Sequence, residues 1–123
     1  MTGSADTAPE GPRATVRDMV EAITADEFSA ADGVADWRVL ESGQVGTVFR
    51  TGSFDKGVDL VVRIGALADA ANHHPDVDLR YPMVTVRLST HEVGGLSERD
   101  VALAREISAA AAELGLEADP GRV

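Results

Sequence analysis

Four short stretches of the chain alternate between apolar and polar residues, the pattern typical of strands that bury one face of a sheet. They form two pairs, at residues 37–40 and 45–50 and again at residues 77–81 and 84–90. Ser42 and Gly43 mark the first turn, and Pro82 marks the second, where a residue without an amide hydrogen does not interrupt a ladder. The pattern therefore predicts two antiparallel hairpins.

Apolar positions at helical spacing predict three helices, at residues 25–32, 54–72 and 98–114. The first helix is preceded by Thr24, which forms a capping-box pattern with Glu27. Ser97 and Asp100 form the same pattern at the start of the third, and Ser53 is placed to cap the second. Each predicted helix thus has a residue that marks where it begins.

The order helix-strand-strand-helix-strand-strand-helix predicts an α+β fold, a four-stranded antiparallel sheet with helices packed on one face. We expect this domain to span residues 15–116, between a disordered N-terminal tail at 1–14 and a C-terminal tail at 117–123. The second helix carries two apolar stripes: Phe54, Val58, Val61, Val62 and Gly65, and Leu60, Ile64, Leu67 and Ala71. A helix that is apolar on two sides packs on two sides, so we expect it to face another subunit beyond the sheet.

Composition and charge narrow the class of protein. The chain has 123 residues, of which 44% are hydrophobic, as in a single globular domain. Its net charge of −10 argues against nucleic acid and anionic membranes as partners, since both attract Lys and Arg. It has no cysteine, and we see no membrane span or signal peptide. These features predict a cytoplasmic protein.

All three histidines of the chain lie in one segment, as His73, His74 and His91. A metal site is disfavoured, because adjacent residues point in different directions and no H-x-H or H-x-x-x-H pair is present. Ordinary structural roles at the ends of elements remain open, and Asp100 already has one in its capping box. An acid–base site also remains open, because imidazole exchanges protons near neutral pH and a helix packed across a sheet can bring His73 to His91.

A pattern of residues at fixed gaps favours the acid–base hypothesis. The matching positions are Asp69, His73, His74, Pro75, Tyr81, His91 and Asp100, and the stretch VTVRLSTHEVGGLSERDVALA surrounds the last two. This pattern resembles the signature of the pterin-4a-carbinolamine dehydratases. The resemblance covers roughly residues 24–110, and it agrees with the α+β order predicted above.

The resemblance implies dehydration of 4a-hydroxytetrahydropterins, the products of aromatic amino acid hydroxylases, during tetrahydrobiopterin recycling. It implies no metal or organic cofactor, and a homodimer or homotetramer that shares a pathway with a hydroxylase. His73 and His91 are implied as the acid–base pair, with His74 holding the pterin and assisting proton movement. The implied pterin site is His73, His74, Pro75, Thr90, His91, Glu92 and Val93, with Asp69 and Asp100 as supporting residues.

A second hypothesis is a binding module on the same fold. Relatives of this fold act as transcriptional coactivators or assembly chaperones through their oligomer surfaces. Relatives that have abandoned catalysis would be expected to lose the histidines, whereas this chain keeps all three at the family spacing. The retained histidines favour the enzyme over the binding module.

Overall fold

The computed structural model describes residues 20–123, so the N-terminal tail predicted at 1–14 lies outside the described residues. The strands are β1 (Ala22–Ile23), β2 (Arg38–Val39), β3 (Val45–Arg50), β4 (Asp76–Arg80), β5 (Met83–Leu88), β6 (Leu96–Ser97) and β7 (Glu117–Ala118). The helices are α1 (Ala25–Ala30), α2 (Phe54–Ala71) and α3 (Glu98–Glu113), with 3-10 turns at His91–Val93 and Pro120–Arg122. The two hairpins and three helices predicted from the sequence are all present.

The predicted caps are confirmed. At α1, the Thr24 hydroxyl accepts a hydrogen bond from the Glu27 amide at 3.0 Å, and the Glu27 carboxylate accepts one from the Thr24 amide at 2.7 Å. The Ser53 hydroxyl accepts from the Lys56 amide at the start of α2. These bonds satisfy amides that no helical carbonyl reaches, so each helix begins where the sequence indicated.

The main sheet runs β2-β3-β5-β4, with every neighbouring pair antiparallel. Val45 lies opposite Leu88 and Phe49 opposite Val84, so these side chains share one face of the sheet. They belong to a single buried cluster to which the helices contribute Phe28, Leu60, Ile64, Val101, Leu103 and Ile107. The helices therefore cover one face of the sheet, as predicted for the α+β fold.

The sheet differs from the prediction in having a fifth, short strand. β7 pairs with the end of β3, opposite Phe49 and Arg50, and the Asp119 amide then donates to the Val48 carbonyl at 2.7 Å. Val123 lies so close to Gly46 that a Cβ there would approach its side chain to 2.7 Å. The segment 117–123, treated above as a tail, is thus packed along β3. A strand of two residues is too short to show an alternation of apolar and polar positions in the sequence.

Helix α2 is buried on one side only within this chain. Leu60, Ile64 and Ala68 are buried, whereas Val62 is 66% exposed. Phe54 and Val58, on the same stripe as Val62, are also exposed. One of the two predicted apolar stripes is therefore packed against the sheet and α3, and the other is open.

Candidate active site

The end of helix α2 fixes the position of His73. Asn72 adopts the left-handed conformation with φ of 51°, which asparagine tolerates better than most residues. Its amide donates to the Asp69 carbonyl at 3.2 Å, and the His73 amide donates to the Ala68 carbonyl at 3.1 Å. This pair of bonds is the Schellman motif, which ends the helix and sets the direction of the next residue. His73 turns back into the protein and is only 7% exposed.

The start of helix α3 fixes Asp100. The predicted capping box is present, with the Ser97 amide donating to Asp100 Oδ2 at 2.9 Å. Leu96 and Ser97 also form β6, which pairs with β1. The residues that lead into the helix are therefore fixed by this strand pairing as well as by the cap. Asp100 is fully buried in the first turn, where the helix dipole favours a negative charge.

The two ends meet in a buried hydrogen bond between a histidine and an aspartate. His73 Nε2 lies 2.7 Å from Asp100 Oδ1, across 27 residues of sequence. Asp100 Oδ2 accepts a hydrogen bond from the Thr90 hydroxyl at 2.7 Å, and Thr90 Oγ1 lies 2.6 Å from Ser97 Oγ. One carboxylate therefore joins the end of α2, the end of the β5 segment and the start of α3.

The loop that carries His91 is anchored by Thr90. The Thr90 amide donates to the Gly95 carbonyl at 2.6 Å, and the Gly95 amide donates back to the Thr90 carbonyl at 3.3 Å. Between them His91–Val93 forms a 3-10 turn, closed by Gly94 with φ of 63°. Thr90 is fully buried and His91 is exposed. The bond from Thr90 to Asp100 thus ties the base of the His91 loop to the carboxylate that His73 contacts.

The other predicted site residues lie nearer to solvent. His74 Nε2 is 3.1 Å from Asp69 Oδ1, and both side chains are largely exposed. Asp69 therefore pairs with His74, and the acid that contacts His73 is Asp100. Pro75 and Val93 are half-buried, and Glu92 is exposed. Thr90, which is also predicted to line the pterin site, is fully buried, and its hydroxyl donates to Asp100.

Two charged residues at the site, Arg99 and Glu106, were not singled out from the sequence. The Arg99 guanidinium donates to the Glu92 carboxylate at 3.2 Å, and Arg99 and Glu106 line a cleft of about 250 Å³ beside His73. The pKa of Glu92 is lowered mainly by a hydrogen bond from its own backbone amide, with smaller contributions from the charges of Arg99 and His73. The motif SERD, which contains Arg99, was the available signal. The sequence separation of Arg99 and Glu92 does not indicate their contact, because that contact depends on the 3-10 turn that contains Glu92.

Two structural features are absent from the described part of the chain. Across residues 20–123, no three His, Asp or Glu side chains lie together in a way that would hold a metal ion. None of the helices described there is long and apolar enough to cross a membrane. What residues 20–123 do contain is a histidine–carboxylate pair beside a cleft. A buried imidazole held by a carboxylate is equipped to give and take protons.

Comparison with known proteins identifies the family. The family model described as Pterin 4 alpha carbinolamine dehydratase matches residues 21–110, which include every residue of the pair and its supporting network. The chain belongs to this family. The family assignment made from the spacing of the histidines and Asp100 is therefore confirmed.

Individual relatives agree with the pterin dehydratase family. A protein of Chloroflexus aggregans named "Putative pterin-4-alpha-carbinolamine dehydratase" is 42% identical over 72 residues, 58% of this chain and 77% of its own. A protein of the same name from Nocardia farcinica is 39% identical, over 64% of this chain and 82% of its own. The crystal structure of a "transcriptional coactivator/pterin dehydratase" from Brucella melitensis superposes with a TM-score of 0.66 at 26% identity, covering 74% of this chain and 99% of that one.

Proposed function

We propose that this protein is a dehydratase that converts 4a-hydroxytetrahydropterin to quinonoid dihydropterin and water by histidine general acid–base catalysis. The observation that carries the proposal is the buried pair of His73 and Asp100, linked through Thr90 to the loop of His91. Family membership supplies the substrate class, and the pair supplies a group suited to the proton transfers that the reaction needs.

The reaction is an elimination and needs no oxidant or reductant. The bond between the carbinolamine carbon and its hydroxyl oxygen breaks, and the oxygen leaves as water after it gains a proton. The neighbouring ring nitrogen loses its proton, and the electron pair of that N–H bond completes the new carbon–nitrogen double bond. One histidine of the pair His73 and His91 gives the first proton while the other takes the second, so the two protons balance.

The surroundings of the two histidines suit these roles. Asp100 holds the His73 ring in one orientation, and a fixed imidazole loses less entropy when it reaches the reacting atoms. His91 stands exposed on a short turn that is closed by the Thr90–Gly95 bridge, where it is accessible to a substrate.

We assign to His74 the holding of the pterin and to Pro75, Glu92 and Val93 the lining of its site. A pterin is planar and uncharged, so an acidic protein does not repel it.

The test is a direct assay of dehydration. Chemically generated 4a-hydroxytetrahydropterin is mixed with wild type, His73→Ala, His91→Ala and the double variant, and the appearance of quinonoid dihydropterin is followed. We expect the double variant to lose an acceleration on the order of 10²–10⁴-fold, the usual contribution of acid–base groups. Circular dichroism and gel filtration show whether each variant is folded. Equal rates for wild type and the folded double variant would sink the proposal.

We also propose that the protein self-associates through the open stripe of α2, as a homodimer or homotetramer. Val62 is 66% exposed and Phe54 50% exposed. Apolar surface in contact with water costs free energy, and packing against a second copy would remove that contact. Val62→Glu should lower the mass measured by sedimentation, whereas Ser29→Glu, on the exposed face of α1, should not change it. A wild-type protein that sediments as a monomer at micromolar concentration contradicts this arrangement.

A second candidate function, a binding module with or without catalysis, is favoured by one observation. The Brucella relative of known structure is described as a transcriptional coactivator as well as a pterin dehydratase. The double histidine variant separates the two functions, because it removes the proposed chemistry and leaves the remaining surface unchanged. The double variant is expressed in a strain that lacks the gene. If it restores the wild-type transcript profile without restoring dehydratase activity, the binding function is supported. A role in tetrahydrobiopterin recycling beside an aromatic amino acid hydroxylase, in the cytoplasm, stays a prediction.

A further inference from the structure

Two buried hydroxyl groups, on Thr90 and Ser97, stand behind the Asp100 carboxylate. Thr90 is 0% exposed and Ser97 is 1% exposed, so neither hydroxyl exchanges its hydrogen bonds with solvent. Their oxygens are 2.6 Å apart, and Thr90 Oγ1 is 2.7 Å from Asp100 Oδ2. A hydroxyl group has a single proton to donate. Which group donates in each of these hydrogen bonds is therefore determined by the other atoms that each hydroxyl contacts.

The direction runs from Ser97 to Asp100. In the opposite direction, with Thr90 donating to Ser97, the buried Ser97 hydroxyl would have no acceptor for its own proton, because the Arg99 amide that also contacts it is a donor. The one proton of the Thr90 hydroxyl is therefore used in the bond to Asp100 Oδ2. Thr90 Oγ1 is then the acceptor in its contact with Ser97, and the Ser97 hydroxyl donates. Ser97 Oγ has a lone pair left for the Arg99 amide, which donates to it at 3.2 Å. In this direction each of the two hydroxyl groups has an acceptor for its proton.

This direction determines the state of Asp100 and His73. Asp100 Oδ2 accepts from the Thr90 hydroxyl and the Ser97 amide, and two donors on one oxygen at a helix N-terminus favour the carboxylate anion. An anion cannot donate, so the proton in the 2.7 Å contact with Oδ1 belongs to His73 Nε2. The ring nitrogen that gains or loses a proton is therefore Nδ1.

We propose that Thr90 and Ser97 are positioning residues, which keep Asp100 ionised and thereby hold His73 as the tautomer with its proton on Nε2 and its lone pair on Nδ1. The proposal rests on the proposed function in one respect, since it matters for catalysis only if His73 transfers protons. Without the Thr90 hydroxyl, Asp100 can take up a proton and donate it to Nε2. The neutral ring would then carry its own proton on Nδ1, where it could not act as a base.

The test compares two matched substitutions. Thr90→Val keeps the shape of the side chain and removes the hydroxyl, whereas Thr90→Ser keeps the hydroxyl. Nitrogen-15 NMR of labelled histidine distinguishes the two tautomers of His73, and the dehydration assay gives kcat and KM for the same samples. We expect wild type and Thr90→Ser to show the Nε2–H form, and Thr90→Val to show a substantial Nδ1–H population. We expect kcat of Thr90→Val to fall on the order of tenfold with KM changed less than about twofold.

The two readouts separate this inference from the proposed function. An unchanged Nε2–H tautomer in folded Thr90→Val overturns the positioning role, whatever happens to the rate. A changed tautomer supports that role. If kcat is then unaffected, the catalytic assignment of His73 fails instead. Ser97→Gly provides a second variant in case Thr90→Val does not fold, because glycine is tolerated at the N-cap at a small cost. It should shift the tautomer in the same direction, and no shift would overturn the role of Ser97.

Discussion

Two adjacent histidines each contact an aspartate, and the two pairs differ in almost every physical respect. His73 and Asp100 are 7% and 0% exposed, 2.7 Å apart, and joined across 27 residues. His74 and Asp69 are 59% and 83% exposed, 3.1 Å apart, and separated by five residues on either side of a helix end. Water screens the second pair and is excluded from the first. Sequence neighbours of identical chemistry are thus placed in opposite electrostatic environments.

The difference shows that burial, and the hydrogen-bond partners it demands, fixes the orientation of His73 while His74 stays at the surface. A buried carboxylate costs free energy unless each oxygen is hydrogen-bonded, and Asp100 has donors on both. That complete set of partners holds the His73 ring in one orientation. The exposed pair exchanges with water and leaves the His74 ring free to turn, so it suits a substrate contact better than a fixed base.

The largest expected effect is on folding stability when each acid is removed. Asp100→Ala leaves the Thr90 hydroxyl, the Ser97 amide and His73 Nε2 buried without their acceptor. We expect it to lower the free energy of unfolding by about 3 kcal/mol or more. Asp69→Ala, the matched change in the exposed pair, should cost less than about 0.5 kcal/mol. Urea denaturation of both variants measures the contrast, and similar midpoints for the two would contradict it.

Double-mutant cycles sharpen the comparison by isolating each pair. Combining His73→Ala with Asp100→Ala should reveal a coupling free energy of about 2 kcal/mol, because the two side chains share one buried contact. Combining His74→Ala with Asp69→Ala should give a coupling below about 0.5 kcal/mol. The couplings come from the denaturation of four proteins in each cycle. A buried pair with no larger coupling than the exposed one would show that Asp100 serves only its helix cap.

The smallest expected effect concerns Glu92, beside the buried pair. Its pKa lies below the usual 4.5, first because of its own backbone amide and then because of Arg99. A lowered pKa means that the folded protein favours the ionised form. This contribution to stability is therefore complete above about pH 4.5 and is lost as the pH falls through the folded pKa. In a carbon-13 NMR titration, Arg99→Gln should move the midpoint of Glu92 up only part of the way towards 4.5. A full return to 4.5 would show that Arg99, and not the amide, is the main cause.

The sequence predicts the fold well where the signals are local. The capping boxes at Thr24 and Ser97 use partners three residues away, and both are present as predicted. The short strand β7 and the packing of Val123 on Gly46 leave no local signal, since they depend on contacts made after the sheet has formed. The structure adds these to a topology that alternation and helical spacing had already indicated.

The candidate site could be predicted as a set of residues but not as a geometry. Family spacing pointed to His73, His74, His91 and Asp100, yet nothing in the adjacent histidines indicates which one is buried. That choice is made by Asn72, whose left-handed conformation turns His73 inward. The capping box likewise accounts for only one of the partners of Asp100. The bonds to His73 and Thr90 come from chain segments that the sequence does not show to be close.

The most direct measurement is the dehydration rate of Asp100→Asn and Asp69→Asn, assayed side by side on chemically generated 4a-hydroxytetrahydropterin. Both changes remove one negative charge and keep the size of the side chain, and each affects the histidine that the acid contacts. We predict that Asp100→Asn lowers kcat on the order of 100-fold, and that Asp69→Asn changes it less than about threefold. Folded Asp100→Asn protein with wild-type kcat, or equal losses in the two variants, would contradict the assignment of catalysis to the buried pair.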